Sequence, residues 1–307
     1  MNNYSHSLLR YVKHNSIDKI KWDEVVGRSA NSRVYAFSWF LDRVSEDWDA
    51  LIWGDYEYVM PLTRRRKWGI KYLFPPMFCQ QLGIFPVPPR QIQIEFSNRI
   101  RKLFRFIQIQ VNSQMDIKAF SGLTVIPKVN FVLPLIEPYS IIASNYSKDR
   151  KKNLSITRKS RVTISMGMNA SDYSYHKRMA LNATKQGSTY QILETLISYT
   201  HSIGKGFILN AYSMHNELCA AAFFIRSGNR VVYLNSFSTV EGRKTSAMTA
   251  IIDRVIIDYA GSGLLLDFEG SSIPGIAAFM KGFGAHTETY FQLNYNRLPL
   301  PLRWLKR

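Results

Sequence analysis

Between Phe207 and Gly284 the chain prescribes an order of elements that few folds accommodate. Three apolar runs, Phe207 to Ser213, Leu218 to Arg226 and Val231 to Ser238, are separated only by His215-Asn216-Glu217 and Ser227-Gly228-Asn229. Both spacers are tight-turn sequences, so the runs form an antiparallel meander. The third run leads through Thr239-Val240-Glu241-Gly242-Arg243-Lys244-Thr245-Ser246-Ala247 into a helix whose apolar face is Met248, Ile251, Ile252, Val255 and Tyr259. A fourth apolar run begins at Leu264. A helix that joins two strands of one sheet is a crossover, so the strands on either side of it lie parallel.

The fourth run also carries acid. Asp267 and Glu269 occupy alternate positions, so both carboxylates are expected to leave the strand on one face. Gly270-Ser271-Ser272 then ends the strand, Pro274 opens a helix, and Ile276, Phe279, Met280 and Phe283 recur at helical spacing up to Gly284. Two readings stay open: a strand delivering carboxylates for acid–base chemistry, or acids that end a strand and cap a helix. A last strand runs from Thr287 to Tyr295.

The first half alternates helix and strand signals. Trp22 to Arg28 and Ala36 to Val44 read as helices, and Trp48 to Trp53 with Tyr56 to Leu62 as a hairpin turning at Gly54-Asp55. Arg64 to Lys71 is basic and aromatic together, a pattern that serves either a strand edge protected by charge or a nucleic-acid contact. A loop rich in aromatics and amides contains Gln80 and Gln81; a helix from Gln91 to Phe104 and strands at Arg105 to Val111 and Leu123 to Leu135 follow. Pro134 to Pro138 marks the expected boundary between domains 1–135 and 136–307. Beyond it, Tyr139 to about Arg158 reads as one long basic helix, followed by a strand near Val162 and helices at Tyr173 to Thr184 and Thr189 to Ile203.

A hydrophobic fraction of 46% with 13% aromatics supports packed cores rather than disorder. The net charge of +18 arises in both halves and favours anionic partners: a phosphorylated cofactor, RNA or an anionic surface. The densest basic patch, Lys148 to Lys152 continued by Arg158 to Arg161, has the composition of a solvated helix face. No apolar run approaches the roughly 20 residues of a membrane helix, and the N-terminus lacks a signal-peptide pattern. Cys79 and Cys219, both in apolar surroundings, read as reduced buried thiols, no cluster has metal-ligand spacing, and the histidines are scattered. The expectation is a cytoplasmic protein without a metal.

The order meander, crossover helix, strand, helix matches the core of the GNAT superfamily of N-acyltransferases. Asp267-Phe268-Glu269-Gly270-Ser271 through Lys281-Gly282-Phe283-Gly284 resembles the corresponding segment of FemAB-like and BioF2-like acetyltransferase families. The resemblance spans about residues 140–295. It implies an α+β fold of two GNAT-like domains, with mixed, mostly antiparallel sheets flanked by helices and a degenerate first domain. It also implies direct N-acyl transfer from acyl-CoA to an amine. FemAB-like relatives use aminoacyl-tRNA instead, and a non-catalytic scaffold that binds RNA or an anionic surface is the third reading.

Roles follow from the resemblance. Gly242, Arg243, Lys244, Thr245 and Ser246 stand where GNAT enzymes hold the donor's pyrophosphate, although an Arg/Gln-x-x-Gly-x-Gly/Ala pattern is met by a single glycine here. Free amides and the positive end of the helix dipole suit phosphates at such a place. Glu269, then Asp267, is the expected base; the superfamily's acidic tyrosine is replaced by Phe279, with Tyr290 as substitute. Asn235 and Ser236 mark the backbone donor for the oxyanion, exposed where the parallel strands splay. Lys281 is expected to hold an anionic group, and Arg150 and Asn153, with Gln80 and Gln81 from the first domain, to touch substrate.

Overall fold

A computed structural model describes residues 8–45, 47–182, 187–270, 273–300 and 303. Two compact units emerge, one of residues 1–128 with 289–307, the other of residues 129–288. The sequence break at Pro134 to Pro138 lies a few residues further on and assigns the last strand to the second unit.

In the first unit, β1 (Leu9–Val12), β2 (Trp48–Trp53) and β3 (Tyr58–Lys67) pair antiparallel in succession. The Gly54-Asp55 hairpin forms as expected, with Gly54 and Tyr56 at positive φ. Helices α1 (Lys19–Arg28), capped by Asp18, and α2 (Ser38–Val44) precede β2. The sheet continues through β4 (Ile70–Leu73), antiparallel to β3, and, after α3 (Arg90–Leu103), β5 (Phe106–Val111), parallel to β4. Arg64 pairs with the buried Asp49, which also accepts from the Tyr11 hydroxyl. Arg65, Arg66, Lys67 and Trp68 are exposed.

The second unit starts within β6 (Thr124–Pro134). The expected long basic helix is two helices, α4 (Tyr139–Ser144) and α5 (Lys148–Lys159). The break has physical causes: the Ser147 hydroxyl caps α5 by accepting from the Arg150 amide, and the Ser147 amide donates to the Gly282 carbonyl. Tyr139 and Tyr146 then both donate to Asp253 Oδ1 at 2.9 Å, and burial raises the carboxyl of Asp253 above its ordinary range. Next come β7 (Thr163–Met166), α6 (Ala170–Ala180) and α7 (Ser188–Ser202). The Thr184 end of the expected helix lies outside the described residues.

The meander is present as β8 (Gly206–Tyr212), β9 (Leu218–Ser227) and β10 (Arg230–Ser238), with β7 antiparallel to β8. A short helix, α8 (Val240–Lys244), precedes the crossover helix α9 (Ala247–Tyr259), and β11 (Leu265–Asp267) then pairs parallel to β10. β6 flanks β11 antiparallel, and α10 (Pro274–Lys281) opens on its proline. The core on one sheet face joins Ala220, Ala222 and Phe224 of β9 to Ile251, Ile252 and Val255 of α9. The last strand, β12 (His286–Asn296), pairs antiparallel to β5 through Phe291–Asn296, in the first unit.

Asp267 and Glu269 do not share a face. The strand ends at Asp267, and Glu269 sits at φ 56°, its amide donating to Asp267 Oδ1. Asp267 is 1% exposed and accepts from Arg230 Nη1 at 2.6 Å and Asn130 Nδ2 at 3.0 Å. Arg230 Nη2 also donates to Glu288 at 2.8 Å. Replacing Arg230 with Met strands the buried Asp267 charge, so the variant is expected to lose about 3–5 kcal/mol of unfolding free energy in urea titration.

Gly242 is fixed by packing. A Cβ there lies 1.9 Å from the Cys219 carbonyl oxygen, whereas one at Gly275 meets nothing within 4 Å. Gly242→Ala is expected to cost more than about 2 kcal/mol. Gly275→Ala, within α10, is expected to leave stability equal or raise it by up to about 1 kcal/mol; thermal melts compare the two.

Candidate functional site

The strands that flank α9 pair over three residues only, Arg230–Val232 with Leu265–Asp267. From Tyr233 onward β10 has no strand partner on that side among the described residues, so the expected splay is present. Its register with β9 shifts between Tyr233 and Asn235, making Leu234 the extra residue of a bulge. A bulge breaks the regular alternation of ladder hydrogen bonds and re-aims the residues after it. Asn235 accordingly meets α6, whereas Tyr233 and Ser236 border a cleft on the other sheet face.

That cleft measures about 560 Å³ and is walled by α5, β10, α8, the start of α9, and α10. Ser246 lines it in the left-handed conformation, φ 55°, and begins α9 without a side-chain cap. The amides of Ala247 and Met248 make no hydrogen bond among the described residues. They are the orphan donors of a 13-residue helix, at its positive end.

Arg150 enters from α5. Its guanidinium lies over the Phe279 ring at 4.7 Å and the Phe283 ring at 5.6 Å, and Nη1 donates to Thr249 Oγ1 at 3.1 Å. The Asn153 carboxamide, in the orientation that satisfies both groups, accepts from Arg150 Nη2 at 3.0 Å. No carboxylate among the described residues pairs with this arginine. Burial lowers its affinity for its proton. Gly282 leaves room for it, because a Cβ there lies 2.8 Å from Arg150 Cγ. Met248, Ile276 and Met280 add an apolar lining beside the Phe279 ring.

The residues expected from sequence divide. Arg150, Asn153, Ser236, Gly242, Arg243 and Ser246 all border the cleft. The Gly242 amide is taken by Thr239 Oγ1, however, and Arg243 Nη1 is spent on the Ser238 carbonyl at 2.8 Å. Thr245 is turned inward, its hydroxyl on the Glu241 carbonyl, and exposed Lys244 pairs with Glu241. Asp267, Glu269 and Lys281 are not part of the cleft lining; Lys281 Nζ lies 5.7 Å from the Phe131 ring. Asn235 is held by Tyr173 and Lys177.

Gln80, Gln81 and Tyr290 belong to the first unit. There Gln81 is fully buried and donates to Gln80 Oε1, Gln80 lines a small recess with Thr63 and Ile109, and Tyr290 is 8% exposed.

Sequence reasoning missed Tyr233, Thr249 and Lys177. The Tyr233 hydroxyl donates to Ser236 Oγ at 2.5 Å at the cleft edge, and burial pushes the phenol up to about 12. Tyr233 lies in an apolar run whose bulge has no sequence marker, and Lys177 is one cation among many. Among the described residues no His/Cys/Asp/Glu group has metal-site geometry, and no helix is long and apolar enough to cross a membrane.

No protein-family model matches the chain, and none of the curated proteins matches it. Solved structures do. The crystal structure of FemX superposes with a TM-score of 0.69 at 11% identity, covering 97% of this chain and 99% of that one. A tandem GNAT protein from the clavulanic acid biosynthesis pathway gives 0.57 at 11% identity, over 95% and 99%. A GCN5-related N-acetyltransferase from Sphaerobacter thermophilus gives 0.50 at 10%, over 95% and 96%. With its mixed, mostly antiparallel sheet, flanking helices, crossover and splay, the chain has the tandem GNAT fold, in the form FemX shares.

Proposed function

We propose that the protein is an N-acyltransferase that moves an acyl group from acyl-CoA directly to an amine. The observation that carries this reading is the convergence on one cleft of three features: the splay of β10 from β11, the bulge at Leu234, and the uncapped start of α9. The Ala247 and Met248 amides suit the donor's phosphates, which a helix start attracts by dipole and by unsatisfied N–H groups. Arg150 adds a positive charge that no carboxylate among the described residues contacts as an ion pair. The wall of Met248, Ile276, Phe279 and Met280 suits the pantetheine arm and the acyl chain. The bulge, which interrupts the regular ladder beside the cleft, is where this reading puts the backbone donor for the developing oxyanion, a group that needs pre-placed hydrogen bonds rather than water.

Transfer to an aminoacyl-tRNA-dependent reaction is the second reading, and one observation favours it. The expected pyrophosphate loop has lost donors: the Gly242 amide is internally bonded, and its glycine serves packing against Cys219. A thinner phosphate cradle is what the FemAB-like resemblance implies for a donor without coenzyme A.

Calorimetry with acetyl-CoA, a longer acyl-CoA and a charged tRNA separates the two. Thioester binding that weakens about tenfold or more in Arg150→Ala, about 1.4 kcal/mol, supports the first reading. Arg150→Lys is expected to recover only part, because lysine cannot reproduce the stacked guanidinium. Binding of charged tRNA alone, with an affinity that falls steeply as salt rises, supports the second. Absence of all three overturns the transferase reading.

A further inference from the structure

Lys177 is a cation in an unusual place. It extends from α6 to the stretch of β10 that has parted from β11, where Nζ donates to Asn235 Oδ1 at 2.7 Å and to the Ser236 carbonyl at 2.9 Å. Tyr173, one turn earlier on α6, donates to the same Asn235 oxygen at 3.1 Å, and its ring meets Phe237 at 5.3 Å. The ammonium group of a lysine has three protons to donate. Two acceptors are present, and among the described residues no third acceptor and no carboxylate contacts Nζ. Two neutral acceptors match the two N–H groups of an uncharged amine.

The titratable or charged groups on the elements packed against α6 are Tyr190, Glu194, Tyr199 and His201 on α7, and Arg230 and Tyr233 on β10. None of them hydrogen-bonds or pairs with Lys177. Asp267 is locked by Arg230, and Glu269 lies off the cleft, so neither expected carboxylate is at the bulge. We propose that Lys177 is the proton acceptor of the transfer: an uncharged amine, held at the bulge by Asn235 and Ser236, that deprotonates the incoming ammonium group of the acceptor. The inference rests on the acyl-transfer reading above. Burial, the sole cause at work, lowers the lysine to about 8, so a useful neutral fraction exists near neutral pH.

The step balances. The acceptor ammonium gives one proton to Lys177 Nζ, and its freed lone pair attacks the acyl carbon. The C–N bond forms as the bond from the acyl carbon to the donor's leaving atom breaks. The second amine proton passes to the leaving thiolate or alkoxide, and Lys177 returns its proton to solvent. Ser236 joins the two: its carbonyl accepts from Lys177 Nζ, and the same residue borders the cleft where the acyl group would lie.

Full-length protein labelled with [ε-13C]lysine tests the assignment without any substrate. One Cε resonance is expected to titrate near 8 and to vanish in Lys177→Gln; a Lys177 resonance titrating above about 10, as an ordinary lysine does, overturns the proposal. With acetyl-CoA and a panel of primary amines, thiol release between pH 6 and 10 supplies the second readout. The acid limb of kcat/KM is expected to follow the same titration, and Lys177→Gln to lower kcat/KM about 100-fold with donor affinity unchanged. Lys177→Arg retains both hydrogen bonds and a permanent charge, so it is expected to keep the fold and donor binding but not turnover. Full rate with an unaltered acid limb in either variant overturns the proposal while leaving the transferase reading intact. Donor-independent silence of the wild type overturns the transferase reading, and the lysine titration then judges Lys177 alone.

Discussion

The buried ion pair between Arg230 and Asp267 decides where the sheet of the second unit opens. Arg230 begins β10 and Asp267 ends β11, so their pairing pins the two parallel strands at one end and nowhere else. Asn130 on β6 and Glu288 add hydrogen bonds and a second carboxylate, and the network spans the strands on both sides of β11. A buried arginine is tolerable only when its charge is met, and here two carboxylates meet it. Beyond this clamp the described residues of β10 and β11 form no further ladder pairs. The gap opens where the ladder with β11 stops after three residues, and the bulge against β9 begins at the same point.

Charge is distributed around that opening with a clear division. Carboxylates close to the strand ends are used internally, whereas among the described residues Arg150 forms no ion pair and Lys177 meets only neutral acceptors. A polar centre built this way presents the positive charge of Arg150 and the open amides at the start of α9 to whatever enters. Phosphate and developing oxyanion are the groups such a centre stabilises. The aromatic floor under Arg150 keeps the guanidinium in place without neutralising it, since a ring face attracts a cation but carries no net charge.

The meander, the crossover and the parallel pair were legible in the sequence because each rests on local signals: turn residues at 215–217 and 227–229, and helical periodicity from Met248. Of the residues expected around the crossover's start, Ser236, Gly242, Arg243 and Ser246 border the cleft, as do Arg150 and Asn153, whereas Lys244 and Thr245 do not. What sequence could not carry is geometry set by distant partners. The break before α5 depends on Gly282 and Asp253, more than a hundred residues away. Alternation predicts one face for Asp267 and Glu269, but alternation ends where the strand does, and Glu269 adopts positive φ. Gly242 invites reading as a phosphate-loop glycine, yet the nearest atom to its missing side chain is a carbonyl of β9. Lys177 became visible only once Asn235 was seen from the other face of the sheet.

The pairing of β12 with β5 makes the first unit discontinuous, one portion before the second unit and one after it. During synthesis, then, the second unit's strands and helices are all made before the first unit receives the segment from Phe291 to Asn296 that covers the edge of β5. An exposed edge is a template for wrong partners. The early half of the nascent chain therefore waits longest for its own closure, and the inserted half sets the length of that wait.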